Sequence, residues 1–169
     1  MGAMPQRTPA PKPNRPRRPD APAKPKRPRD ELGRPQPWDA RNTLELEDYD
    51  SLSLERNHEL GIEHWNAGRF FPAHEAWETC WKQAKQTPEA EFFKGLSQLG
   101  AGYTHLLRGN QHGAFTLLRR GAGRILRYED GHRGVEVRKI AAAAMAHSLY
   151  IEKAEQAGRP STDLTPPKI

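Results

Sequence analysis

Phe92, Leu96, Leu99, Tyr103 and Leu106 recur in alternating steps of four and three residues. That spacing lines up large apolar side chains on one seam of a helix, and such a seam has to be covered by other helices. Gly95, Gly102 and Gly109 run seven apart beside it. A glycine inside a helix costs about 1 kcal/mol, so this series predicts close approach of a neighbouring backbone. No segment shows the strict alternation of a half-buried strand. The expected fold class is all-α, a compact bundle of about five helices built from antiparallel helical hairpins.

The other helices are read from caps and breakers. A first helix is predicted over 53–65, with Leu54, His58, Gly61 and Trp65 on one face, ending near Gly68. Pro72 suits the first turn of a second helix that runs to about Lys85. Thr87 can cap the third, with Pro88 at its first position, and Arg108-Gly109-Asn110 closes it. A fourth begins near Gly113 and turns Ala114, Leu117, Leu118, Gly121 and Ile125 inward. Gly131 and Gly134 break the chain before a fifth helix over 137–157, whose inward residues are expected to be Ile140, Ala144, Met145 and Leu149. The domain is therefore placed at 38–157, followed by a flexible tail at 158–169.

Charge separates off the beginning of the chain. Residues 1–37 hold ten Lys/Arg against three Asp/Glu, whereas 38–169 hold seventeen against eighteen. The high isoelectric point, 9.7, thus belongs to an arm rather than to a basic folded surface. Eleven of the sixteen prolines lie in the same 37 residues, Leu32 is their only large branched aliphatic side chain, and they contain no aromatic. Such a segment buries too little to offset the entropy of ordering it, so a disordered basic arm is expected. The arm could make a weak contact with nucleic acid or another polyanion, although no aromatic is interleaved to stack on bases. A second basic stripe, Arg120, Arg124 and Arg127, shares one helix face.

Several classes are excluded. One cysteine makes neither an intrachain disulfide nor a Cys-rich zinc site, and it fits a reducing compartment. No run approaches the ~18 apolar residues of a membrane span, and the first thirty residues lack the apolar centre of a secretory signal. A cytoplasmic location without membrane contact is the expectation.

The second helix carries the chemistry-bearing pattern. At about 100° per residue, Ala73, Trp77, Cys80 and Ala84 form its core stripe, and His74, Glu78 and Trp81 form another about 90° round. An imidazole and a carboxylate four apart can share a divalent metal ion, and an indole beside them excludes water. Glu78 stands where the zincin pattern needs a second histidine, which argues against a zinc protease. Two ligands do not complete a site. Further donors or anion-holding groups are sought among Glu75, Gln98, His105, Arg108 and Asn110, with His58, His64 and His112 as other imidazoles. A purely structural His–Glu hydrogen-bonded pair has the same spacing. Glu55/His58 and Glu129/His132 match the local spacing of di-iron bundles, but the first pair lies in an acidic stretch and the second spans a glycine turn. Cys80, on the core stripe, reads as a buried small hydrophobe.

Trp65-Asn66-x-Gly68-x-Phe70-Phe71-x-Ala73-His74-Glu75-x-x-Glu78-x-x-Trp81 resembles the signature of the domain of unknown function 309 family. Lys94-Gly95-Leu96-x-Gln98 and Arg108-Gly109-Asn110-x-x-Gly113-Ala114-x-x-Leu117-Leu118 resemble its next two blocks. The resemblance runs from about Leu60 to Ile125. It implies a small helical protein of bacterial or archaeal type with a metal or polar ligand site at His74, Glu78 and Trp81, and it names no reaction. Gly61, Trp65, Gly68, Ala73, Trp77 and Cys80 also resemble a tetratricopeptide hairpin, loosely repeated by Gly100, Tyr103, Gly109, Ala114 and Leu118. The copies are about 40 residues apart rather than about 34, and the closing proline is missing. That resemblance implies a scaffold that binds a protein partner or a second copy of itself.

Overall fold

The computed structural model describes residues 26–161 and 163–169. Five α-helices follow one another: α1 Leu54–Asn66, α2 Phe70–Gln83, α3 Ala90–Leu107, α4 Gln111–Ile125 and α5 Val137–Gln156. Short 3-10 turns lie at Tyr49–Ser51 and His132–Gly134. Among the described residues there is no strand, only an isolated bridge between Arg29 and Pro35. The main helix contacts are α1 with α2, α2 with α3, α3 with α4 and α4 with α5. Connections as short as 67–69 and 108–110 leave room only for an antiparallel return. No described helix is long and apolar enough to cross a membrane.

α3 is the axis of the core. Phe92, Leu96, Leu99, Tyr103 and Leu106 are all buried, as the seam predicts. Tyr103 meets Trp65 of α1 at 5.4 Å between ring centroids and Phe70 of α2 at 5.1 Å, so three helices share one aromatic cluster. The glycine series divides. A Cβ on Gly95 would fall 2.7 Å from Ile125, and one on Gly102 would fall 2.9 Å from Leu118, so both allow α4 to approach. Gly109 faces nothing within 4 Å and instead adopts φ +76° at the end of α3. It is there for the left-handed stop and not for packing.

Caps and boundaries follow local hydrogen bonding. Ser53 accepts from Arg56 N and opens α1, and Asn110 accepts from Gly113 N and opens α4, two residues earlier than expected. Thr87 does not cap α3. Its hydroxyl donates to Ala84 O and accepts from Glu89 N, closing a turn in which Gln86 has φ 70°, and the helix starts only at Ala90. Met145 and Leu149 were expected inward on α5 but are 42% and 50% exposed. α5 lies on α4 through Ile140, Ala141, Ala144, Ser148 and Ile151. In an alanine-rich helix the small residues take the close face, and the larger ones one step round are left outside.

Both ends of the described chain pack on the bundle. Residues 1–25, with the disorder and polyanion contact expected of them, lie outside the described residues. From residue 26 onward a strap runs along α2 and α3. Asp30 accepts from Leu32 N and Arg34 N, and Arg108 Nε donates to Leu32 O at 2.9 Å. The end of the chain, expected to be loose, is tied at its carbonyls. Trp65 Nε1 donates to Pro167 O at 2.9 Å, and Asn66 and Ile169 exchange hydrogen bonds of 2.7 and 2.9 Å. Composition marks these segments as poor in apolar surface. It does not register core side chains that need carbonyl partners.

His58 locks α1 to the loop before α5. Trp77 Nε1 donates to its Nδ1 at 3.1 Å, so Nδ1 is unprotonated, and Nε2–H donates to Arg133 O at 3.0 Å. Burial pushes its pKa below the ordinary 6.5. The unfolded chain therefore takes up a proton near pH 6.5 that folded His58 does not, and stability falls as the pH drops below that value. Burial moves His105 and His147 the same way. His58→Phe is expected to cost about 1–3 kcal/mol at pH 7.5 by orphaning the indole N–H. The gap between parent and variant in urea unfolding should narrow at pH 5.

Candidate functional site

The buried stripe Ala73, Trp77, Cys80 and Ala84 sets the rotation of α2. It leaves His74, Glu75, Glu78 and Trp81 half-buried at the edge of the α2–α3 contact. That contact is tightest at Gly100, where an added Cβ would fall 3.0–3.1 Å from N, Cα and Cβ of His74. The same approach brings Ser97 of α3 to the imidazole. His74 Nδ1 lies 3.0 Å from Ser97 O and 2.9 Å from Ser97 Oγ, and Ser97 Oγ lies 3.4 Å from His74 O.

One assignment satisfies these groups together. Nδ1–H donates to Ser97 O and Oγ, and the Ser97 hydroxyl donates back to His74 O. Nε2 then carries the lone pair of a neutral ring. It points at Glu75 Oε1, 3.6 Å away, and at Glu78 Oε2, 3.7 Å away. A lone pair facing two carboxylates needs a positive charge between them, either a proton on Nε2 or a cation shared by all three. Among the described residues this is the one group of three His, Cys, Asp or Glu side chains close enough to hold a metal, with donor atoms within 4.8 Å of one another. Ligands at about 2.1 Å from one ion lie within about 4.2 Å of each other, so the half-exposed carboxylates have to close slightly. Lys82 Nζ, 3.2 Å from Glu78 Oε1, holds the outer oxygen of that carboxylate. An imidazole whose far nitrogen donates to a backbone carbonyl is the arrangement that orients a metal-ligating histidine.

The remaining candidates have other partners. The Trp81 ring lies between Lys94 Nζ, 4.8 Å from its centroid, and Lys85 Nζ, 5.7 Å away. Gln98 accepts from Arg124 Nε at 3.0 Å. Arg108 stacks on Phe71 at 5.4 Å and donates to Leu32 O. Asn110 caps α4 and donates to His105 Nδ1 at 2.8 Å. Burial first, then Arg108 and His74, lowers the pKa of His105. His64 lies 3.1 Å from Glu47 and 3.2 Å from the Tyr49 hydroxyl, and His132 lies 3.1 Å from Glu89. His112 is 3.6 Å from Glu155. Burial pushes the Cys80 thiol up to about 12, which leaves it a buried thiol and no nucleophile. Ser97 escaped the sequence reading, and Gly100 entered it only in the tetratricopeptide-like pattern, without its contact to His74. Ser97 occupies the unspecified position of Lys94-Gly95-Leu96-x-Gln98, and a single serine on a helix gives no sign of the imidazole it faces.

The family model described as Domain of unknown function (DUF309) matches residues 58–117. This stretch of the chain is similar to that family. It runs from His58 in α1 to Leu117 in α4 and contains His74, Glu75, Glu78, Ser97 and Gly100. No curated protein and no solved structure matches the chain.

Within the matched segment, Gly100→Ala is expected to cost about 1–3 kcal/mol, because backbone rather than a side-chain tip has to yield. It should also loosen the His74–Ser97 contact, seen as a shift of the His74 ring nitrogens by NMR. Gly123, exposed on α4 with nothing within 4 Å of an added Cβ, supplies the control. Gly123→Ala should stabilise by about 1 kcal/mol and leave the ring resonances in place.

Proposed function

We propose that the DUF309 segment is a divalent-cation-binding module whose ligands are His74 Nε2 and the carboxylates of Glu75 and Glu78. The observation that carries this reading is the fixed ring: Nδ1 is committed to Ser97, and Nε2 faces two carboxylates at 3.6 and 3.7 Å. One imidazole and two carboxylates form a hard to borderline donor set, suited to manganese, iron(II) or zinc rather than to soft metals. All three donors come from one helix, so the outward side of the ion is left for water or for a ligand. A bound ion there supplies Lewis acidity and an acidified water. His74 contributes the fixed nitrogen, Glu75 and Glu78 supply the neutralising charge, and Lys82 restrains Glu78.

A second reading is favoured by the stacking order. Each helix has its main contacts with its sequence neighbours, as in helical-hairpin scaffolds. In that reading His74 and Glu78 are a structural pair and the module binds a protein.

Metal content and Mn2+ titration of the chelator-treated full chain separate the two. Stoichiometric binding is expected, weakened at least tenfold in Glu75→Gln/Glu78→Gln and in His74→Ala, with helicity and melting of the double variant close to the parent. Unchanged binding in these variants would overturn the assignment. So would absence of binding with manganese, iron(II) and zinc alike.

A further inference from the structure

Beside the cation site the strap and α2 enclose a groove of about 620 Å³, lined by Lys26, Arg27, Arg29, Asn42, Leu44, Leu46, Phe71 and Glu75. Its volume falls within the roughly 300–1,000 Å³ of small-molecule sites. Its two walls differ in chemistry. Among the described residues the cations are Lys26, Arg27 and Arg29, the apolar wall is Leu44, Leu46 and Phe71, and Glu75 is the one carboxylate.

Among the described residues these cations meet no neutralising carboxylate. Arg27 Nε donates to Gln36 O at 2.5 Å, and Arg29 Nη1 donates to Gly33 O at 2.6 Å. Both guanidiniums are thus held by neutral carbonyls, and among the described residues none of the three cations pairs with a carboxylate. The arginines of α4 contrast with them: Arg119 pairs with Glu152 at 2.6 Å, and Arg124 pairs with Glu91. The smaller neighbouring groove also contrasts, with Glu31 and Glu45 against Arg69. Positive charge is crowded on this side as well. Burial, and then Arg29 and Arg34, lowers the pKa of Arg108 against the opposing effect of Asp30.

We propose that this groove binds a small organic phosphate, its dianion held by Lys26, Arg27 and Arg29 and its apolar body lying on Leu44, Leu46 and Phe71. Three cations against one carboxylate leave an excess that a phosphate dianion neutralises, and guanidiniums anchored at one nitrogen keep others free for phosphate oxygens. The apolar wall selects an organic ester over the inorganic ion. This inference stands on the groove's own residues and does not require the neighbouring cation.

The test is calorimetric titration of the chelator-treated full chain with phenyl phosphate, inorganic phosphate and benzyl alcohol. Saturable binding of phenyl phosphate is expected, at least tenfold tighter than inorganic phosphate, with none of benzyl alcohol. Lys26→Gln/Arg27→Gln/Arg29→Gln should weaken it at least tenfold while keeping every Lys and Arg of residues 1–25, which places the binding in the groove. Leu46→Ser, on the exposed wall, should weaken phenyl phosphate several-fold and leave inorganic phosphate unchanged. Arg119→Gln/Arg120→Gln should change neither. The proposal is overturned if phenyl phosphate does not bind, if benzyl alcohol binds as well, or if the triple variant binds like the parent. Phosphate binding without binding of manganese, iron(II) or zinc defeats the cation reading alone, and the converse defeats the groove alone.

Discussion

Gly100 lets α3 rest against the backbone of His74, and most of what distinguishes this bundle depends on that contact. A side chain at 100 would force the two helices to give by a few tenths of an ångström and loosen the contact of Ser97 with the imidazole. Once the ring is fixed, a neutral His74 has no choice of tautomer, and its free nitrogen faces Glu75 and Glu78. The aromatic cluster of Trp65, Phe70 and Tyr103 joins α1, α2 and α3 one turn before His74. The rotation of α2 is therefore determined by burial, and its height against α3 by one absent methyl group.

The fold was legible because its signal is periodic. The α3 seam and the α2 core stripe name buried residues correctly, since a 3.6-residue period over several turns leaves one choice of inner face. α5 defeated the same reasoning because alanine is compatible with either face, and the larger Met145 and Leu149 drew the assignment outward of the true one. The site was legible in part. His74 and Glu78 share a helix face by spacing alone, whereas Glu75 joins them only through the reach of its side chain. Ser97 and Gly100 act across a helix interface, and single-chain spacing carries no record of what lies opposite. Trp81 shares the stripe with His74 and Glu78, yet its ring is taken by Lys85 and Lys94, because a stripe fixes direction and not partner.

The two basic regions of the chain differ in how their charge is met. From Arg108 to Lys139 basic groups outnumber acidic ones, and several of these side chains answer acidic groups elsewhere. Arg124 meets Glu91, Arg119 meets Glu152, and Arg133 meets Glu89. The strap before Trp38 looks like solubilising composition, yet the guanidiniums of Arg27 and Arg29 are oriented by backbone carbonyls and, among the described residues, pair with no carboxylate. A cation held by a neutral acceptor keeps its full charge and loses side-chain freedom, a better preparation for an incoming anion than a surface ion pair.

Glu75 belongs to both places. It lies 3.6 Å from His74 Nε2 and also lines the groove under Lys26, Arg27 and Arg29. Its charge opposes an anion in that groove as long as nothing else neutralises it. A divalent ion on His74, Glu75 and Glu78 would remove the opposition and add positive charge at the groove's edge, so occupancy of one site would favour occupancy of the other. Thermodynamic linkage makes such a coupling reciprocal, with the same factor acting on the affinity of both ligands. The physical medium is a single carboxylate, and no movement of the helices is needed to carry it.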